Sequence, residues 1–288
     1  MNTFSIKELM VEYVDIINNR KLMIGGTKSG EQRLAMKVHV DCCGFPSLDS
    51  ATICIYNLSQ DRMNELSYIQ NRPLNNSKFS INVYSIEDSQ QKLVFSGDIV
   101  NAYPVYQQVP DVFLQIEAIT DYHKANDLKS PLSLKGAVKV QEVVANIAKD
   151  LKKSFTNNGI DKTTENLYLE GSNVNRLKQL SNDFDYNTVI DRDSLIISEK
   201  GIPTKNVHTI IDCDSGLVQG YIMNDQNGIT LTTYYYSGFQ LNGKITIKNA
   251  INSICNGDYV ITKLTHDLVS VIQGEWSTTI KASYIYER

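Results

Sequence analysis

The residue types that usually carry chemistry are present in this sequence, but they do not fall into catalytic spacings. Histidine occurs at His39, His123, His208 and His266, and none of these lies three or four residues from another. This excludes the paired histidines of a zinc-protease helix, and no Gly-x-Ser-x-Gly turn is present for a serine nucleophile. His266 precedes Asp267 in an apolar run, but catalysis by such a pair needs a nucleophile beside it. We therefore interpret His266 as a packed histidine of a strand.

Carboxylates gather at two places where a hard cation would find oxygen ligands. The first group is Asp183, Asp185, Asp191 and Asp193, and the second is Asp212 and Asp214. Calcium loops need a defined spacing with a glycine and a terminal glutamate. The first group lacks that pattern, and a turn between two strands explains it better. In the second group the aspartates alternate with apolar residues, as on the outward face of a strand.

The cysteines and the glycine pairs give no site either. The cysteines are odd in number and irregular in spacing, at Cys42, Cys43, Cys54, Cys213 and Cys255. They match no metal-binding spacing, and we interpret them as reduced, buried side chains of a chain that folds in the cytosol. The glycine pair at 25–26, with Thr-Lys-Ser at 27–29, lacks the spacing of a phosphate-binding loop. The sequence therefore predicts no catalytic, cofactor-binding or metal-binding residues, and a protein that is not an enzyme.

The composition is that of a soluble globular protein with more than one folding unit. A length of 288 residues favours two or three units. The net charge of −4 lacks the basic balance of a duplex-binding protein. No apolar run reaches about 18 residues, so no membrane insertion is expected, and Lys7 and Glu8 interrupt the start where a secretory signal would be apolar. The 16 tyrosines favour strands with half-buried surfaces.

Residues 1–122 are predicted to form a β unit with one short helix. Its strands are predicted at 10–17, 34–40, 51–56, 78–84, 92–100 and 112–120. In 34–40 the apolar residues face one way, and Ala35, Lys37 and His39 face the other. Ser59 is a good helix N-cap. The helix it starts has apolar residues near helical spacing at Met63, Leu66 and Ile69.

Residues 123–205 are predicted to form a small α+β insertion. A helix over 138–155 has its apolar residues on one face, and Asn-Asn-Gly at 157–159 is predicted to end it. A second helix follows over 173–183, with Ser172 as its N-cap. A hairpin of strands 188–190 and 194–198 closes the insertion.

Residues 206–288 return to β structure. Strands are predicted at 209–212, 217–224, 228–235, 244–247, 258–267 and 275–285. Asn-Gly pairs at 227–228, 242–243 and 256–257 are strong turn signals. The predicted fold is therefore α+β and mainly β, with two β-barrel or sandwich domains and a small α+β insertion between them.

Several stretches, in order along the chain, resemble the baseplate hub proteins of contractile phage tails. Residues 51–59, Ala-Thr-Ile-Cys-Ile-Tyr-Asn-Leu-Ser, resemble the strand of the family's first domain that leads into a short helix. Residues 95–99, Phe-Ser-Gly-Asp-Ile, resemble a later strand of the same domain. Stretches that resemble the family's middle module and closing hairpin are 134–136, 140–148, 256–261, 264–266 and 274–278.

The resemblance implies a structural protein that makes and breaks no bonds. Both β units would be related to the tail-tube fold, and a homotrimer would present six such domains to the sixfold tail tube while seating the threefold central spike. The implied partners are the tail tube protein, the central spike protein and other baseplate proteins. The implied location is the tail baseplate of the virion, after assembly in the host cytoplasm. DNA is expected to pass the lumen without specific binding, because the chain is acidic.

Other functions remain open at this point. The helix pair of the insertion loosely resembles lysin-motif modules, which would suit a peptidoglycan-binding or wall-degrading tail protein. Such a protein would need a groove with an acid pair or exposed aromatic residues. A tail-tip protein of a non-contractile tail, or a component of a cellular injection machine, would share the same strand patterns.

Overall fold

Strands dominate the structure, which confirms the mainly β prediction. The computed structural model describes residues 7–26, 34–69, 78–87, 90–107, 111–190, 194–203, 208–214, 216, 223–224, 228–271 and 274–285. Three parts follow one another along the chain, and we name them the N-terminal β unit, the insert and the C-terminal β unit.

The N-terminal β unit contains strands and one capped helix. Its elements are β1 (Lys7–Asp15), β2 (Arg20–Gly25), β3 (Met36–Cys42), β4 (Ser50–Tyr56), α1 (Gln60–Leu66), β5 (Tyr68–Ile69), β6 (Phe79–Glu87), β7 (Gln90–Val105) and β8 (Phe113–Ile119). The Ser59 side chain accepts a hydrogen bond from the Arg62 backbone N–H, so the predicted N-cap is confirmed. Ile69 lies in β5 and outside the helix, which corrects the prediction. β2 was not predicted from the sequence.

The insert combines helices with two small sheets. Its elements are α2 (Tyr122–Ala125), β9 (Leu128–Lys139), α3 (Val140–Asp150), β10 (Ser154–Asn158), β11 (Thr163–Ser172), α4 (Asn173–Asp183), β12 (Asn187–Ile190) and β13 (Ser194–Ser198). β9 pairs with β11, while β10 and β12 flank β13. Ser172 caps α4 by accepting from the Asn175 backbone N–H, as predicted.

The first predicted helix of the insert is shorter than expected. It begins at Val140 and ends at Asp150, and the predicted terminator at 157–158 lies inside β10. Lys152 has a φ of 56°, a left-handed conformation that ends the helix before its apolar pattern does. The antiparallel pair of β9 and β11 was not predicted, because β9 is mostly exposed and includes Pro131.

The C-terminal β unit contains the remaining strands. Its elements are β14 (His208–Asp212), β15 (Met223–Asn224), β16 (Gly228–Tyr234), β17 (Lys244–Lys248), a 3₁₀ helix (Ser253–Cys255), β18 (Gly257–Val269) and β19 (Trp276–Tyr284). Most of the predicted strand 217–224 lies outside the described residues, and so do the turn at 191–193 and the segment 27–29.

All strands of the two β units belong to one 14-stranded sheet. Its main path of hydrogen-bonded neighbours is β15-β16-β19-β18-β3-β4-β8-β7-β6-β1-β2. Among the described strands this path is open at both ends. The β units are therefore parts of an open sheet, and these strands form no closed barrel. The link between the two units is the pairing of β18 with β3.

Buried apolar side chains form three clusters, one for each part of the chain. Cluster 1 fills the N-terminal β unit, cluster 2 the insert and cluster 3 the C-terminal β unit. Cluster 1 also receives Tyr235 and Leu268 from the C-terminal β unit. The domain boundaries predicted at residues 122 and 205 stay predictions. The three clusters separate the parts of the chain, whereas the 14-stranded sheet joins the two β units.

The insert is attached to both β units. Lys153, whose side chain is fully buried, forms an ion pair of 2.8 Å with Asp121 at the end of the N-terminal β unit. Phe45 of the β3–β4 loop packs against cluster 2, and the Asn242 side chain donates to the Ser198 hydroxyl at 3.4 Å. These contacts tie the insert to the sheet at several points.

Candidate functional site

The junction between the β units is built by one long strand. Residues 257–260 of β18 pair with β17 in the C-terminal β unit, and residues 264–269 pair with β3 in the N-terminal β unit. Four residues apart on β18, Leu264 belongs to cluster 3 and Leu268 to cluster 1. Beyond the strand, the Ser270 hydroxyl accepts from the Met36 backbone N–H at 2.9 Å and donates to the Leu34 carbonyl at 3.2 Å. The junction therefore has both main-chain and side-chain bonds.

Alternation along the strands gives this shared sheet one polar face. Successive residues of a strand point to opposite sides, and the register aligns the polar ones across neighbouring strands. The polar face includes Asn101, Tyr103, Gln115, Glu117, Thr52, Lys37, His39, Asp41, Thr265, Asp267, Thr279, Lys281 and Thr232. It crosses from β7 to β16 and therefore spans both β units.

An ion-pair cluster lies on the polar face where the units meet. His39 Nδ1 lies 2.7 Å from Asp267 Oδ1, and its Nε2 lies 3.2 Å from Asp41 Oδ2. Asp41 Oδ1 also accepts from Lys263 Nζ at 2.9 Å and from the Thr265 hydroxyl at 2.7 Å. Because His39 and Asp41 come from β3 and the other residues from β18, every one of these contacts crosses the junction except the one between His39 and Asp41.

The charges of this cluster shift one another's pKa values. Partial burial would raise the pKa of Asp41, but hydrogen bonds from Lys263, Thr265 and His39 outweigh burial and lower it to about 2. Burial alone would lower the pKa of His39, yet the carboxylates of Asp267 and Asp41 outweigh it and raise that pKa. The cluster thus favours the charged forms of Asp41 and His39 over their neutral forms.

Elsewhere on the polar face the carboxylates are also held by hydrogen bonds. Glu117 accepts from Asn101 Nδ2 at 3.0 Å, the Tyr103 hydroxyl at 3.0 Å and Gln115 Nε2 at 2.9 Å. The bond from Asn101 is the largest of the causes that lower the pKa of Glu117. Glu12 is held in the same way on β1, by Lys21 at 2.9 Å and by Asn82 at 2.6 Å. These acids are engaged locally and are not aimed at a reacting group.

The opposite face of the junction is aromatic and buried. His266 is 6% exposed, and burial lowers its pKa to about 4. Its Nδ1 lies 2.9 Å from the Thr278 hydroxyl, and its ring meets the Tyr235 ring edge-on at 5.3 Å between centroids. His266 and Asp267 lie on opposite faces of β18, and the partner of Asp267 is His39 of β3. The interpretation of His266 as a packed histidine agrees with this placement.

The other residues considered from the sequence are not brought together into a site. Asp185 pairs with Lys200, and Asp212 accepts from the Asp214 backbone N–H in a turn after β14. Cys255 is buried and the other cysteines are half-buried. Among the described residues, no group of three or more His, Cys, Asp and Glu side chains is placed to hold a metal ion. No helix in the described ranges is long and apolar enough to cross a membrane.

The ion-pair cluster was missed by the sequence analysis. Alternation in β3 correctly separated His39 from the apolar face, but His39 and Asp267 are 228 residues apart in the chain. No short stretch of sequence indicates that a histidine and an aspartate on strands of different units are in contact. The sequence showed only that the runs around residues 39 and 267 both place polar residues at alternate positions.

A family model matches residues 19–275 of this chain, and its description is "Baseplate hub gp41". The chain belongs to this family. The match covers the insert, the β3–β18 junction and the shared sheet apart from β1 and β19, so the resemblance inferred from the sequence is confirmed. As a baseplate hub family member, the protein is a structural component of a phage tail. No curated protein sequence matches the chain.

Solved structures of tail and secretion proteins share the fold of this chain. A 43 kDa tail protein of prophage MuSo2 from Shewanella oneidensis has a TM-score of 0.61 at 7% identity, covering 96% of this chain and 97% of that one. A tail protein from Neisseria meningitidis MC58 has a TM-score of 0.59 at 9% identity, covering 96% of each chain. An Escherichia coli component of the type VI secretion system has a TM-score of 0.59 at 9% identity, covering 90% of this chain and 76% of that one. At these identities the likeness concerns the fold alone.

Proposed function

We propose that this hub protein is a homotrimer that adapts the sixfold tail tube to the threefold central spike of a contractile tail. In this role the two β units act as tube-like domains, so three chains present six of them in a ring. A closed ring also covers sheet edges that would otherwise associate without limit. The protein acts as a structural adaptor and carries out no reaction.

The observation that carries this proposal is the fixed pair of β units. Pairing of β18 with β3 places both units in one sheet, and the ion-pair cluster and the buried aromatic face hold the junction from two sides. A ring of six domains made from three chains needs every chain to hold its two domains at one constant angle. A flexible linker between the units would not meet that requirement.

We further propose that the polar face lines the lumen through which DNA passes. Apart from the exposed Lys37 and Lys281, its side chains are neutral or are held by partners, as in the contacts of Asp41 with Lys263 and of Glu117 with Asn101. Phosphate binding depends on cations that are available to release counterions. A surface whose charges are already paired offers few such cations and lets DNA slide. The purified protein is therefore expected not to retain duplex DNA at physiological salt.

The partners in this role are the tail tube protein on one side, the central spike protein on the other, and further baseplate proteins around the ring. Assembly would take place in the host cytoplasm, and the product is part of the virion. The insert, which is tied to both β units through Lys153, Phe45 and Asn242, would project from the ring as a rigid contact for neighbouring baseplate subunits.

Mass and symmetry test the proposal. Light scattering of the purified chain is expected to give three times the chain mass of 32.4 kDa, and electron microscopy a ring with three arms and six similar inner domains. In the ring, a rotation of about one-sixth of a turn should superpose one β unit on the other. A stable monomer within the particle, or a ring of purely sixfold symmetry, would overturn the proposal.

A further inference from the structure

Tyr235 belongs to the C-terminal β unit by sequence but to the N-terminal β unit by packing. It follows β16 directly, and its backbone N–H donates to the Trp276 carbonyl at 2.9 Å. Its side chain is 4% exposed and lies in cluster 1, among residues of the N-terminal β unit. Tyr235 therefore crosses the junction on the face opposite the ion-pair cluster.

Groups from both β units surround the Tyr235 side chain. Its hydroxyl lies 3.1 Å from the Ser85 hydroxyl on β6, and Lys7 of β1 donates to its carbonyl oxygen at 3.4 Å. Lys7 Nζ also lies over the rings of Tyr235 and Trp276, at 5.8 Å and 5.6 Å from their centroids. On its other side the Tyr235 ring meets Trp276 at 5.5 Å and His266 at 5.3 Å.

Strand pairing alone leaves the relative orientation of the units undetermined. The twist between neighbouring strands of a sheet ranges over roughly 10 to 35°, so the β3–β18 pair is compatible with many angles between the units. A buried side chain that packs against both units is compatible with few of them, since protein cores are close-packed. The ion-pair cluster is more exposed and more adaptable, and it restricts the same angle less.

We propose that Tyr235 is a positioning residue that sets the angle between the two β units. This inference rests on the proposed function for its meaning, because that angle decides whether three chains close into a ring. The contact itself is a property of the single chain and is testable without the ring. Its loss would leave each β unit folded on its own cluster and would widen the range of angles between them.

The test measures the distance between genetically encoded spin labels at exposed Ile69 and Ile254, one in each β unit. In the wild-type chain we expect a narrow distance distribution. In Tyr235→Ala the width should grow at least about twofold, since the buried side chain that restricts the twist between β3 and β18 is then lost. Tyr259→Ala is the matched control, because Tyr259 is 2% exposed, packs in cluster 3 and bonds to Cys255 within its own unit. It should lose stability without broadening the distribution.

An unchanged width in Tyr235→Ala, or equal broadening in Tyr259→Ala, would overturn the proposal. If Tyr235→Ala does not fold, Tyr235→Phe and Ser85→Ala decide, because both remove the same hydrogen bond and keep the packing. Both should broaden the distribution to a similar, smaller extent, and no broadening in either would overturn the proposal. Light scattering in parallel tests the proposed trimer separately from the role of Tyr235. A monomeric wild-type chain would contradict the trimer, while the distance measurement would still test whether Tyr235 sets the angle between the β units.

Discussion

The two faces of the β3–β18 junction are made from alternate residues of the same strands, yet they hold the units together in different ways. One face buries Leu268, His266 and Tyr235 between the clusters. The other exposes about half of the His39 and Asp267 side chains to solvent. Burial of apolar surface stabilises by about 1.5–3 kcal/mol per large side chain, whereas exposed ion pairs contribute up to about 1 kcal/mol. The buried face therefore supplies most of the free energy that holds the junction together, and the polar face keeps that side of the sheet hydrated.

The histidines of the two faces respond to pH in opposite directions. The pKa of buried His266 is lowered, so protonation in acid favours the unfolded chain. The pKa of His39 is raised, so its contribution is complete below the ordinary histidine pKa and is lost as the pH rises through the folded value. Neighbouring positions across one sheet thus differ because one is desolvated and the other is paired with carboxylates.

Truncation of the buried face should have the largest effect. Leu268→Ala removes a fully buried side chain that the C-terminal β unit contributes to cluster 1. We expect a loss of about 2–5 kcal/mol in the free energy of unfolding, from lost burial and the cavity left behind. Denaturant titration followed by circular dichroism measures it. The exposed Ile254→Ala is the control and should stay within about 0.5 kcal/mol of the wild type; a similar loss in both variants would contradict the comparison.

Acid should weaken the buried face through His266. Its pKa is about 4 in the folded chain against about 6.5 when unfolded. The unfolded chain therefore binds the proton first, and stability should fall by about 3 kcal/mol between pH 6.5 and 4. His266→Gln is expected to flatten this slope in unfolding titrations repeated across that pH range. If the variant keeps the wild-type slope, burial of His266 is not its source.

Loss of one carboxylate should weaken the polar face by less. Asp41→Asn keeps the size of the side chain but removes the charge that accepts from Lys263, Thr265 and His39. We expect a loss of about 1–2 kcal/mol at neutral pH, after allowing for partial exposure. Because the folded pKa of Asp41 is about 2, the wild type should lose the same amount as the pH falls from about 4 to 2. Nuclear magnetic resonance titration of the His39 ring checks the link: its pKa should fall in the variant, and an unchanged value would break the link.

Much of the local structure was predictable from short-range patterns. Ser59 and Ser172 were identified as N-caps because a hydroxyl before an apolar periodic run satisfies the first free N–H groups of a helix. The strands around 34–40 and 51–56 were predictable because their alternation is regular. The end of α3 was not, since the apolar period continues past the left-handed Lys152. The β9–β11 pair was missed because β9 is mostly exposed and because α3 and β10 separate the two strands in the chain.

The sequence by itself determined many strands of the two β units, the helix starts at Ser59 and Ser172, the polar side of the regularly alternating strands, and which family the residues resemble. Only the tertiary structure decided that the outer β units share one sheet, that Asp267 faces His39 and that Tyr235 packs into the unit before it. Propensity and alternation act over a few residues. Pairing of β3 with β18 joins residues more than two hundred positions apart, and its register places Leu264 in cluster 3 and Leu268 in cluster 1, which no short stretch of sequence contains.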